Sequence, residues 1–311
     1  MKTLATQLFA FAKNTHQEFA HTVWRNNHQA ISFFENGTRI TPCYHNGHHI
    51  IGVVGTARAI LTALIEKRKD PLCIEQNLAN WNQKHTANIS LPQFSHILQL
   101  AFATHDLGNL TKTTKLFFTD AKPYLQYSDR FQLEVGPSDQ RSAQLAIALI
   151  EYFDTEKVVS HSVKDLVTHL ILQTVFHPSQ QNSDEPFWLL MQCIDQVGSY
   201  FFSEVPVHHA TAGYLNELYT SGEISERTPL DLHQFLTFLP NRFEQLLPNR
   251  NDQQTILEIL DPKNTHSDIF HFFSNIPDRK IDYQTDVEAI YKGVFNRQKT
   301  QHSRENIPIN K

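Results

Sequence analysis

The chain has few of the residues that mark tight turns and disulfide frameworks. Its 311 residues include only 10 glycines and three cysteines. The cysteines, Cys43, Cys73 and Cys193, lie far apart, and none belongs to a Cys-x-x-Cys pair. An odd number of widely spaced cysteines argues against a disulfide scaffold and against a cysteine-ligated zinc site. We therefore expect three reduced thiols.

Long basic runs and long apolar runs are also absent. The formal net charge is −5, so we do not expect duplex nucleic acid as the main partner. A small anionic ligand stays open, because a metal ion can supply local positive charge. No apolar run approaches the roughly 20 residues that cross a bilayer, which predicts no membrane partner. The N-terminal segment 1–20 lacks a small-residue cleavage site, which favours an amphipathic helix and a cytoplasmic protein.

Apolar residues recur at helical spacing through most of the chain, and strand-like alternation is hard to find. This pattern predicts an all-α fold, with one helical domain over 1–298 and a polar tail over 299–311. Within that domain we expect a core over about 44–202 and a C-terminal helical extension over 207–298. A domain boundary near Pro206 is the alternative.

Caps and prolines mark the ends of the predicted helices. Ser90 precedes Leu91-Pro92, which is typical of a helix start, because serine caps a helix and proline fits its first turn. The predicted helices cover 4–34, 46–68, 73–84, the stretch from Ser90 through Phe102, 138–153, 156–176 and 187–202, then shorter segments after Pro206 and a last helix over 285–298. The segment 111–132 is predicted to be mainly loop.

Four ionisable residues stand on these apolar helices or at their ends: His49, His105, Asp106 and Asp195. A buried imidazole needs partners for its ring nitrogens, so such positions often mark a polar site. Three helices that each present such a group inward can converge on one metal site. Two imidazoles and two carboxylates suit a divalent first-row ion or magnesium without selecting one. An ordinary packed or boundary position is the alternative for each residue taken alone.

The order of these residues, His, then His-Asp, then Asp, resembles the HD superfamily of metal-dependent phosphohydrolases. The segments 49–57, 104–109 and 193–198 carry the resemblance. It implies an HD-domain-like helical bundle with one or two divalent metal ions, with Mn, Mg, Fe, Zn and Ni all open. The metal ligands that it implies are His49, His105, Asp106 and Asp195.

The segment 44–49, Tyr-His-Asn-Gly-His-His, is similar to a motif of the cyclic-nucleotide phosphodiesterases within that superfamily. The similarity implies that His45 is a general acid and that Asn46 lies in the shell around the ligands. Residues four apart share one helix face, so His45 would lie beside the ion without ligating it. The His-Asp pair is followed by Leu107 and Gly108, where those enzymes carry a further histidine, so the substrate stays open.

The resemblance also suggests less central site residues. Histidines that could build a second metal site are, in order of rank, His177, His169 and His161. Asp139 is the candidate for a carboxylate that hydrogen-bonds the catalytic water. Basic residues that could meet phosphate oxygens are Lys112, Lys115 and Arg141. A structural or solvated position is the alternative for each of them.

The resemblance implies hydrolysis of a phosphoester or phosphodiester, in a nucleotide or another small phosphate ester, by a metal-activated water. Asp106 would orient that water, and His45 would protonate the departing oxygen. Two alternatives stay open: an HD-type single-strand nuclease, and a slow or inactive HD-domain protein that senses a nucleotide. The sequence makes no prediction of the oligomeric state.

Overall fold

The structure, a computed structural model, describes residues 1–10, 12–13, 47–67, 69–108, 138–154, 157–175, 184–202, 238 and 241–262. Of this part of the chain, 79% is helical and none is in strands, which confirms the all-α prediction. The predictions for 14–46, 111–132 and 285–311 lie outside the described residues.

Most of the described helices match the predicted ones in position. The elements are α1 (Gly47–Lys67), α2 (Ile74–Lys84), α3 (Leu91–Thr104), α4 (Ser138–Phe153), α5 (His161–Leu172), α6 (Trp188–Cys193), a π-helical turn (Ile194–Gly198), α7 (Ser199–Phe202) and α8 (Arg250–Leu260). Residues 2–10, 12–13 and 241–246 are also helical. The bounds of α1, α2 and α4 lie within one residue of prediction.

The start of α3 shows how a local sequence signal sets a helix end. The Ser90 amide donates to Gln93 Oε1 at 2.9 Å, and the Gln93 amide donates to Ser90 Oγ at 3.4 Å. This reciprocal capping box satisfies two amides that the first turn of a helix leaves without intrahelical partners. The predicted serine cap is therefore confirmed.

The helix predicted over 156–176 is shorter than expected and begins only at His161. The Asp154 carboxylate accepts hydrogen bonds from the amides of Val158 and Val159, at 3.1 and 2.8 Å. Lys157 has a left-handed backbone, with a φ of 52°. These contacts bend the chain into a turn, so the helical pattern cannot begin before Ser160.

The helix predicted over 187–202 is interrupted. Its middle, Ile194–Gly198, is a π-helical turn between α6 and α7. A π turn accommodates one more residue than an α turn, and such turns occur often at functional sites. Asp195 stands in this turn, so its carboxylate projects from π-helical and not from α-helical backbone.

Helix α1 is central to the packing, since it contacts α3, α7, α8 and the π turn. By length and a mean hydropathy of 1.4, its part His49–Lys67 would also pass as a membrane span, which corrects the expectation about apolar runs. In this structure 61% of that window is buried inside the protein. A core helix of this kind places its first turn, with His49, deep among the other helices.

Candidate metal centre

Three parts of the fold bring two imidazoles and two carboxylates together. His49 stands in the first turn of α1, His105 and Asp106 directly follow α3, and Asp195 stands in the π turn. The Nε2 atom of His49 lies 3.3 Å from Asp106 Oδ2 and 3.1 Å from Asp195 Oδ1. The corresponding distances from His105 Nε2 are 3.1 and 3.4 Å. The two Nε2 atoms are 3.4 Å apart, so each imidazole contacts both carboxylates and the other ring.

These groups are largely shielded from water. His49, His105 and Asp106 are buried, whereas the side chain of Asp195 is 19% exposed. Asp195 therefore marks the side from which the cluster is reached most directly. A buried group made of His49, His105 and Asp195 could hold a metal ion.

The spacing of the donor atoms fits a single ion. Ligand distances of about 2.1 Å place neighbouring ligand atoms about 3.0 Å apart in an octahedron and about 3.4 Å apart in a tetrahedron. The three distances among His49 Nε2, His105 Nε2 and Asp195 Oδ1, from 3.1 to 3.4 Å, fall in this range. Asp106 Oδ2 lies 3.3 and 3.1 Å from the two imidazole nitrogens. The side chains would need little rearrangement to bind a divalent ion.

A backbone hydrogen bond fixes the tautomer of His105. Its Nδ1 atom lies 2.8 Å from the carbonyl oxygen of Phe102. A carbonyl oxygen only accepts hydrogen bonds, so Nδ1 carries the proton and, in the neutral ring, Nε2 presents its lone pair. Metal-binding histidines commonly use this arrangement, because the second hydrogen bond orients the ring.

Protons occupy the cluster in the metal-free protein. Burial lowers the pKa of His49, but hydrogen bonds with Asp106 and Asp195 outweigh it and raise that pKa to about 9. Burial likewise lowers the pKa of His105. The charge of Asp106 and the hydrogen bond with Asp195 outweigh this and raise the pKa of His105 to about 9. Burial disfavours ionised Asp195, yet both histidines lower its pKa to about 2. An incoming ion must therefore displace protons from the imidazoles.

Close backbone contact holds the π turn and α7 against α1. A Cβ atom on Gly52 would lie 2.1 Å from the Ser199 oxygen, and one on Gly198 would lie 2.1 Å from Thr56 Cγ2. The Thr56 hydroxyl also donates to the Gly198 oxygen at 2.6 Å. Glycine is required at position 52 because no side chain fits between the two backbones, and at position 198 because the Thr56 side chain occupies the space.

Hydrogen bonds from α4 hold the His-Asp turn. The Gly108 amide donates to Ser142 Oγ at 2.8 Å, and the Gly108 oxygen accepts from Arg141 Nε and Nη2, each at 3.2 Å. Arg141 and Ser142, which are consecutive residues of α4, thus bind both backbone polar groups of Gly108, two positions beyond Asp106. Arg141 is buried and supports the turn, and its predicted phosphate contact stays a prediction.

Two of the histidines suggested for a second metal site lie outside the cluster. His161 is 90% exposed at its side chain and lies 3.5 Å from Asp165. The Nε2 atom of His169 lies 2.9 Å from the Pro186 oxygen, and its ring packs 4.8 Å from that of Trp81. These contacts give each ring an ordinary local role.

The remaining predicted site residues are Asp139, which the structure describes, and five residues that lie outside the described part of the chain. Asp139 stands half-buried in the first turn of α4, and its hydrogen bond to the catalytic water stays a prediction. The residues that lie outside the described part of the chain are His45, Asn46, Lys112, Lys115 and His177. The general acid, two of the phosphate contacts and one second-site histidine therefore stay predictions.

The contacts that hold the π turn and the His-Asp turn in place were not predicted from the sequence. Gly52 and Gly55 stand three residues apart in an otherwise apolar helix, and this spacing could have indicated a close helix crossing. No local signal identifies Ser142, because it contacts a residue 34 positions away.

The fold and the site together define an all-α protein with a buried His-His-Asp group that could hold a metal ion. Comparison of the chain with protein-family models, with curated proteins and with solved structures gave no match.

Proposed function

We propose that the protein is a metal-dependent phosphohydrolase that cleaves a phosphoester or phosphodiester of a nucleotide. The observation that carries the proposal is the set of 3.1 to 3.4 Å distances among two imidazole nitrogens and two carboxylate oxygens. The motif order along the chain, which resembles the HD superfamily, supports the choice of phosphate chemistry.

The residues that would hold the ion are His49, His105, Asp106 and Asp195. When bound, a divalent ion neutralises phosphate charge and lowers the pKa of a water molecule that it holds. His49, His105 and Asp195 form a group that could hold one ion, and we propose a mononuclear centre built on it, with Asp106 as a further ligand. The N/O ligand set suits Mn, Fe, Zn, Ni or Mg and does not select among them.

The roles of the protein groups follow from their positions. Asp106 Oδ2 contacts both imidazoles, so this carboxylate fixes the position of the two rings relative to each other and also supplies negative charge. The more exposed Asp195 defines the side on which a substrate would approach. His45, by its motif, would donate a proton to the departing oxygen.

Elemental analysis and hydrolysis assays test the proposal together. The substrate panel contains cyclic nucleotides, nucleoside monophosphates, a generic phosphodiester and a single-stranded oligonucleotide, each assayed with manganese, magnesium or iron. We expect about one ion per chain, and loss of both ion and hydrolysis in His105→Ala and Asp106→Ala. We expect His45→Ala to keep the ion and to lower turnover.

The matched control is His161→Ala, which removes an exposed histidine outside the cluster and should change neither property. Hydrolysis retained in Asp106→Ala would contradict the proposal. Tight nucleotide binding without turnover under every metal would favour the sensing protein. Cleavage confined to the oligonucleotide would favour the nuclease.

A further inference from the structure

A chain of side-chain hydrogen bonds connects the helical segment 241–246 with the π turn. Arg242 Nε donates to Gln196 Oε1 at 3.2 Å, and Gln196 Nε2 donates to Gln192 Oε1. Gln192 Nε2 then donates to the backbone oxygens of Gln173 and Val175, at 2.7 and 3.2 Å. Gln192 is fully buried and Arg242 is 1% exposed, so little water competes for these bonds.

Both ends of this chain fix its direction. A guanidinium only donates hydrogen bonds and a backbone oxygen only accepts them. The two glutamine amides between them therefore have a single orientation in which every contact pairs a donor with an acceptor. A flipped amide would leave buried polar atoms facing like atoms, at a cost of about 1–3 kcal/mol each. The hydrogen-bonded side chains of Arg242, Gln196 and Gln192 thus form a spacer of defined length, and we refer to these three side chains as the spacer.

The spacer supports the turn that carries Asp195. Trp188, Gln192 and Gln196 follow one another at intervals of four, and the Arg242 guanidinium lies 5.6 Å from the Trp188 ring centroid. Arg242 therefore contacts both the start of α6 and the π turn, by a cation–π contact and a hydrogen bond. Helix α1 supports the same segment separately, through the contact of Gly52 with the Ser199 oxygen.

We propose that Arg242, Gln196 and Gln192 are positioning residues for the metal centre. They hold the π turn in place, and the turn holds Asp195 Oδ1 at 3.1 and 3.4 Å from the two imidazole nitrogens. The proposal rests on the metal centre of the proposed function. It makes a residue of the C-terminal extension part of a site whose ligands all lie before residue 203.

Metal binding by the intact protein tests this role without an activity assay. Gln192→Met and Arg242→Met keep an unbranched side chain but break the hydrogen bonds, whereas Arg242→Lys keeps one cationic donor. Cobalt(II) titration gives the Kd, and the visible spectrum of the cobalt-loaded protein reports the arrangement of its ligands. We expect the two Met variants to bind about tenfold more weakly, with an altered spectrum. Arg242→Lys should fall between them and the wild type.

A matched control separates positioning from general stability. Asp154→Ala removes two hydrogen bonds to the amides of Val158 and Val159, at the opposite end of α4 from Arg141, roughly 20 Å along the helix. It should lower Tm and leave the cobalt Kd and spectrum unchanged.

The outcomes for the two proposals differ. Wild-type Kd and spectrum in a folded Gln192→Met protein overturn the positioning role and leave the metal centre standing. A wild-type protein that binds no cobalt, manganese or zinc overturns the metal centre itself, and the positioning role with it. If Arg242→Met does not fold, Gln192→Met and Arg242→Lys decide.

Discussion

The two carboxylates of the cluster are held in place by different physical means. Asp106 follows a helix whose end is fixed by directional hydrogen bonds: the Gly108 amide donates to Ser142 Oγ, and the Gly108 oxygen accepts from Arg141. Asp195 is positioned on the α1 side by direct backbone contact, with no space for a side chain at Gly52. Hydrogen bonds tolerate small displacements, whereas a backbone contact does not tolerate one added carbon. Metal binding should therefore be sensitive to a larger side chain where α1 contacts α7, and to the loss of a hydrogen-bonding group where α4 contacts the His-Asp turn.

The largest expected effect comes from Gly52→Ala. The added carbon would lie 2.1 Å from a backbone oxygen that cannot rotate away, so α1 and α7 must separate. We expect about 3 kcal/mol or more of destabilisation, together with loss of the metal ion. Urea unfolding and elemental analysis measure the two effects.

Gly55→Ala provides the matched control for that substitution. Its added carbon would lie 2.8 Å from Cβ and Cγ of Phe202, which is a longer distance than the 2.1 Å at Gly52 and involves side-chain atoms, not a backbone oxygen. We therefore expect a smaller loss of stability and a retained ion. Equal metal content in Gly52→Ala and wild type would show that the backbone contact does not set the position of Asp195.

The second effect is a change with pH in the free energy of unfolding of the metal-free protein, on the order of a few kcal/mol. Folding raises the pKa of His49 and His105 from 6.5 to about 9. The resulting stability is fully present below pH 6.5 and is lost as the pH rises through about 9. The lowered pKa of Asp195 acts oppositely, since its contribution is present above pH 3.8 and is lost as the pH falls through about 2. Urea unfolding of the chelated protein from pH 6.5 to 9 measures the loss.

The same experiment compares the two carboxylates. Asp106 raises the pKa of His49 more than Asp195 does, both by its hydrogen bond and by its charge. For His105, the charge of Asp106 is the largest single contribution apart from burial. Asp106→Asn should therefore flatten the pH dependence above pH 6.5 more than Asp195→Asn does. Excess metal should reverse the slope in the wild type, because an ion binds better once the imidazoles have lost their protons. The same slope with and without metal would contradict this interpretation.

The smallest effect concerns the hydrogen bonds between α4 and the His-Asp turn. Ser142→Ala removes the acceptor of the buried Gly108 amide, which should cost about 1–3 kcal/mol and weaken metal binding through the loosened His-Asp turn. Ser160→Ala is the control, because the Ser160 hydroxyl is exposed and bonds the neighbouring hydroxyl of Ser162. Thermal unfolding and cobalt titration should separate the two variants, and identical results for both would argue against the turn support.

The all-α fold and the four clustered residues could be predicted because their signals are local. Helical spacing of apolar residues defines the elements, and a histidine or aspartate on such a helix indicates a buried polar group. The π turn has no comparable signal, since α and π turns share one apolar pattern and contacts such as that of Thr56 with Gly198, 142 residues away, help to decide between them. The Ser142 support is likewise a tertiary contact, and the late start of α5 depends on Asp154 capping a bend.

The cluster also has a consequence for the chain as a polymer. Its histidines are separated by 56 residues, and the last aspartate lies further along the sequence, in the π turn. An ion held by all of them would close large loops and restrict the unfolded chain, as a disulfide does. In a protein whose three cysteines suggest no disulfide framework, the metal centre would serve as the cross-link between distant segments.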